Sequence, residues 1–150
     1  MKKYCFIIVF SYLALGQLQA QGQIPNTPAG KILKKWLVAH NSATHNSLQN
    51  FVKVYHPQTK IQSAKYVKAH TDFYMEATKM FGKLEITPYK IIKSQTHHLE
   101  VQFLKSSIQN RWKETSAEHV VMVKVDTNPK KPQQLTRGLG MGALICYQKK

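Results

Sequence analysis

The hydrophobic period of this chain changes once, near Gly82, and that change limits the fold more than any single motif. Ahead of Gly82, apolar residues recur every three or four positions, as one face of a helix requires. Beyond it they alternate, as one face of a strand requires. Thr27-Pro28 opens the helical part, with a hydroxyl able to cap and a proline where a missing N–H costs nothing. Ile32, Leu33, Trp36, Leu37 and His40 then share a face as far as Asn41-Ser42. A second helix is predicted from about Asn46-Ser47, burying Leu48, Phe51, Val52 and Tyr55 before Pro57 closes it. A third runs from Gln62 to Phe81, with Val67, His70, Tyr74, Ala77 and Phe81 as its stripe, and Gly82 stops it.

The alternating part begins with Leu84 and Ile86, continues through Tyr89 and Ile91, and repeats in Leu99, Val101 and Phe103, with a turn at Gln95 to His97. Two more strands are predicted in His119 to Val125 and Leu135 to Tyr147, joined by a Pro- and Lys-rich loop over Asn128 to Pro132. Helices first and successive strands afterwards make a segregated α+β class: three N-terminal helices packed on a curved antiparallel sheet of about four strands.

Not all of the chain belongs to that domain. Met1-Lys2-Lys3 followed by the apolar run of Tyr4 to Leu15, a break at Gly16 and small Ala20 has the layout of an export signal over residues 1–20. The apolar run is about a dozen residues, short of the roughly 20 that span a bilayer. Residues 21–26 read as a flexible lead-in and 27–150 as one domain. Cleavage leaves 130 residues with Cys146 as the one cysteine, so no internal disulfide is expected and the core must carry stability. The predicted location is periplasmic or secreted.

Thr27-Pro28-Ala29-Gly30, Trp36-Leu37, Asn41-Ser42, Phe51-Val52, Phe73-Tyr74, Leu84-Glu85-Ile86, Arg111-Trp112, Val123-Lys124-Val125-Asp126, Lys131-Pro132 and Leu139-Gly140 follow one another in an order and spacing that resembles an NTF2-like (SnoaL-type) domain. The group it is similar to occurs in exported bacterial proteins, often ahead of a serine hydrolase or peptidase. The resemblance implies a cone-shaped α+β fold with a pocket between helices and sheet, and a homodimer through the outer sheet face. Ala43-Thr44 stands where the group usually has Gly-Asp, and we expect the domain to stand alone, since residue 150 is where a catalytic domain would begin.

Motifs for a hydrolase are missing: neither Ser-x-x-Lys nor Gly-x-Ser-x-Gly occurs. Gly138-Leu139-Gly140-Met141-Gly142 lacks the strand and helix that a phosphate loop needs, so close packing or a bulge is the better reading. Seven histidines without a His-Glu-x-x-His or paired cysteines predict no metal, and no cofactor is expected. The strongest catalytic option is His70 as acid or base with Tyr74, one helical turn away, as its orienter, in a partly dry pocket that moves the pKa. Asp72 and Glu76 lie on neighbouring faces, and Trp36 and Trp112 are candidates to line the same pocket; core packing is the plainer role for each of these aromatics.

Charge bears on partners. Lys+Arg number 22 against 7 Asp+Glu, and without the leader the excess falls from +15 to +13. Lys31, Lys34 and Lys35 cluster on the first helix, Lys65 and Lys68 on the third, and Lys130-Lys131 in a loop. No nucleic-acid signature accompanies them, and export separates the chain from most nucleic acid, so an anionic envelope surface is the more accessible partner. The function expected is a noncatalytic NTF2-like domain that binds a small apolar ligand or a protein; the alternatives are a small pocket enzyme using His70 and a basic surface module.

Overall fold

A computed structural model describes residues 23–85, 88, 90–104 and 117–147. The expected export signal, Ile86, Tyr89 and Trp112 lie outside the described residues. Four helices come first, α1 (Pro28–Ser42), α2 (His45–Tyr55), α3 (Gln58–Ile61) and α4 (Ala64–Phe81). Five strands follow, β1 (Lys90–Ser94), β2 (His98–Leu104), β3 (Ala117–Asn128), β4 (Lys131–Leu135) and β5 (Gly140–Tyr147). The fold is α+β: helices packed against an open antiparallel sheet of five strands.

Each long helix starts on a hydroxyl cap. Thr27 Oγ1 accepts from the Gly30 amide at 3.2 Å, Thr44 Oγ1 from Ser47 at 3.3 Å, and Ser63 Oγ from Tyr66 at 3.3 Å. The lead-in is anchored where it is described, because Ile24 is buried and the Pro25 carbonyl lies so close that a Cβ on Gly30 would sit 2.0 Å from it. Packing thus begins ahead of Thr27.

Two corrections concern element count. The one-turn α3 fills the connection after Pro57, where no helix was expected. The Asn128 to Pro132 segment is not a plain loop: a Pro129-Lys130 turn, with Asn128 Oδ1 accepting from the Lys130 amide at 2.9 Å, folds the chain back into β4. β4 lies at one end of the strand order, where Pro132 needs no ladder donor. β4 therefore forms largely ahead of the expected final strand, which begins as β5 only at Gly140, and the sheet has five strands rather than about four.

β3 organises the sheet. It pairs with β2 from His98↔Asp126 to Leu104↔Val120, and on its other side with β5 and, at its end, with β4. Val121, Val123, Val125 and Thr127 are buried, while Met122, Lys124, Asp126 and Asn128 are half-buried on the opposite face. Leu99, Val101 and Phe103 of β2 continue the inner face, and α1 covers it with Ile32, Leu33, Trp36 and Leu37.

The turn from helices to sheet is held by side chains near the end of α1. His40 Nε2 donates to the Gly82 carbonyl at 2.8 Å, and Asn41 grips Leu84 twice, Nδ2 to its carbonyl at 2.8 Å and Oδ1 from its amide at 2.9 Å. Gly82 itself has φ 66 and ψ −160, a conformation that only glycine adopts without strain. The change of period at Gly82 is thus a real corner of the molecule.

Candidate functional site

α4 delivers Tyr66, His70 and Tyr74 along one face, each four residues from the next. Opposite them stands His56, the residue that ends α2 in extended backbone ahead of Pro57, and it is completely buried. His56 Nε2 lies 2.9 Å from the Tyr74 hydroxyl, and its Nδ1 2.9 Å from that of Tyr66. The Leu139 amide donates to the Tyr74 oxygen at 3.1 Å.

These contacts fix the protons. Tyr74 is fully buried, so its own O–H needs an acceptor, and His56 Nε2 is the one it reaches. Nδ1 of His56 therefore carries the hydrogen and donates to Tyr66. The chain of donors runs from the Leu139 backbone through Tyr74 and His56 to Tyr66, which is half-buried.

Burial keeps the whole set uncharged. It pulls His56 down to about 3, with the neighbouring His70 adding to the effect, and pushes Tyr74 and Tyr66 up. The Leu139 amide opposes the rise at Tyr74 without reversing it.

His70 packs edge-on against His56, with ring centroids 4.8 Å apart, and lies 4.2 Å from Tyr66. Neither of its ring nitrogens has a hydrogen-bond partner among the described residues, and burial lowers its pKa. Its ring lines a cavity of about 460 Å³ together with Phe73, Lys124, Asp126, Arg137 and Leu139. Gly138 makes the approach possible, since a Cβ there would sit 3.0 Å from His70 Cε1; this is the close packing expected of the glycine run.

Of the residues singled out in the sequence, His70 faces this cavity and Tyr74 forms part of the buried wall behind it. Tyr74 does not orient His70: their ring centroids are 6.4 Å apart, and its hydroxyl is committed to His56. Trp36 sits in the core with its indole N–H unpartnered among the described residues, its ring tilted against His40 at 4.8 Å, away from the cavity. Asp72 is paired with Lys68 at 2.6 Å and Glu76 with Lys79 at 2.8 Å, both on the exposed side of α4. Lys65 is exposed, as are Lys130 and Lys131.

His56 and Tyr66 are the functional candidates that sequence reasoning missed. Tyr66 carries a signal, four residues before His70 on the same stripe, whereas His56 lies past the end of the α2 period.

A charge network borders the cavity on the sheet side. His98 Nδ1 meets Asp126 Oδ1 at 2.5 Å, Lys124 meets Glu100 at 3.2 Å, and Arg137 approaches Asp126 at 3.8 Å. Among the described residues no group of three or more His, Cys, Asp or Glu converges as metal ligands would.

A second cavity, of about 610 Å³, lies between α1 and β4, lined by Lys31, Lys34, Lys35, Val38, Tyr55 and Pro132 among others. Compared with models of protein families, with curated proteins and with solved structures, the chain matches none of them.

Proposed function

We propose that this chain is an exported, noncatalytic binding domain of the NTF2-like kind that holds a small, mostly apolar ligand against His70. Helices on one face of an antiparallel sheet support this reading, because that layering is what such a cone is built from. The observation that carries it is the state of His70: an imidazole whose nitrogens have no partner among the described residues, at the edge of a cavity of about 460 Å³, in front of a wall locked by hydrogen bonds. A ligand placed there meets Phe73 and Leu139 as apolar surface and His70 as its polar anchor.

One observation favours the second reading, a pocket enzyme. Burial lowers the His70 pKa, which keeps the ring neutral and able to take a proton at neutral pH. Against it stands the commitment of Tyr74 to His56, which leaves His70 without the orienting bond that a general base uses.

Protein exported by its own host, sequenced from its N-terminus and weighed by nondenaturing mass spectrometry, tests both parts. It is expected to begin at Gln21 and to retain a small molecule that the His70→Ala variant loses. An empty wild-type chain whose His70 NMR signals stay fixed in a screen of small apolar compounds would overturn the binding site.

A further inference from the structure

We propose that the cleft between α1 and β4 is a second binding site, for a free amphiphile with an apolar body and one carboxylate head. Lys31, Lys34, Lys35 and Val38 follow one another at the spacing that puts them on one face of α1. That face points outward. Val38 is 71% exposed, the highest of the large exposed apolar residues described, and it follows Lys34 and Lys35 on the same face, one turn on. Tyr55 and Pro132 continue the apolar lining toward α2 and the edge strand.

None of the three lysines has an acidic partner among the described residues. On α4, Lys68 is held by Asp72 and Lys79 by Glu76; on the sheet, Lys124 is held by Glu100. Among the described residues nothing comparable reaches α1: the first 71 residues of the chain contain no Asp or Glu, and β4 adds only Pro132 and Gln133 to the cleft. Three ammonium groups one helical turn or less apart repel one another, and an anion in the cleft relieves all three at once. Their aliphatic stems, together with Val38, Tyr55 and Pro132, suit an apolar body lying beneath the head. At about 610 Å³ the cleft has the size of a small-molecule site.

Dodecanoate, below its micelle concentration, is the probe, with the mature chain at low salt and the Val38 methyl NMR signals as the readout. Dodecanoate is expected to shift those signals saturably, and dodecyl maltoside, with the same chain and a neutral head, to bind at least about tenfold more weakly. The combined Lys31→Gln, Lys34→Gln, Lys35→Gln variant is expected to lose about tenfold in affinity, and Val38→Glu, which supplies the missing carboxylate from the helix itself, to weaken binding by a comparable factor. Both variants alter only exposed positions, and circular dichroism checks their folding. His70→Ala is expected to leave dodecanoate binding unchanged, which separates this site from the cavity at His70.

Several outcomes overturn the proposal. Equal binding of the neutral detergent makes the cleft a plain apolar patch, and inorganic phosphate binding as tightly as dodecanoate makes it a bare cation cluster. Unchanged affinity in either variant removes the lysines or Val38 from the site. Binding to phosphatidylglycerol vesicles without binding to free dodecanoate makes α1 a membrane-surface element instead.

Discussion

The two cavities differ in where their charges end. Around the cavity at His70, Asp126 meets His98 and Arg137, and Glu100 meets Lys124, so the charges of the border are paired, and the wall behind it is a continuous hydrogen-bond chain. Around the α1–β4 cleft, three lysines have no acidic partner among the described residues. A buried hydrogen-bond chain is stiff and sensitive to the loss of any member, whereas unpaired surface cations add little to stability and leave their field for a ligand. Substitutions in the first region should therefore act on stability, and those in the second on binding.

Acid provides the largest break in that comparison. In the folded protein His56 is held near 3, while in the unfolded chain it titrates at 6.5, so between those values the unfolded state binds the extra proton. Stability present above pH 6.5 is lost progressively as pH falls toward 3, on the order of 3–5 kcal/mol from His56 alone. His40 and His70, both lowered by burial, act in the same direction. Urea unfolding followed from pH 7 to pH 4 measures the slope, and His56→Gln should flatten it while lowering stability at pH 7. A variant as acid-sensitive as the wild type would take His56 out of the account.

Gly138→Ala tests the closeness of the same wall. A Cβ 3.0 Å from His70 Cε1 and 3.1 Å from its Nδ1 makes the imidazole give way by a few tenths of an ångström. The His70 NMR signals should move, while those of Val38 in the other cleft should not, and unmoved His70 signals would show that the wall is not tight at Gly138.

Much of this arrangement was legible, and the illegible part has physical reasons. Thr27, Gly82 and the His70–Tyr74 stripe follow from local chemistry, and each stands where periodicity and capping put it. His56 contributes to no period, and its partner Tyr74 is 18 residues away, a pairing that only the packing of α2 on α4 creates. β4 was hidden because Pro129 and Pro132 suggest a loop, although a turn followed by an edge strand tolerates both. Ala43 and Thr44 fall at a C-cap with φ 54 and at an N-cap. Thr44 caps as an aspartate would, whereas Ala43 occupies backbone that favours glycine. Ala43→Gly is accordingly expected to stabilise the protein by about 0.5–1 kcal/mol in chemical denaturation, and a loss of stability would show that the α1–α2 corner is unstrained.

The smallest effect on stability is the most informative about the open cleft. Lys34 is exposed, hydrogen-bonds to nothing among the described residues and is flanked on its own helix by Lys31 and Lys35, so Lys34→Gln removes two repulsions and no attraction. Its unfolding free energy should change by less than about 0.5 kcal/mol, in the stabilising direction, and the gain should fade as salt screens the neighbours. Asp126→Asn, the matching removal of one charge at the paired border, should instead destabilise, by about 1 kcal/mol, because His98 and Arg137 both lose the carboxylate charge they meet. Opposite signs for two single-charge removals are what a satisfied and an unsatisfied charge set require. A Lys34→Gln variant that loses stability at low salt would mean that a partner holds this lysine in solution, and the contrast between the two cavities would fail at that point.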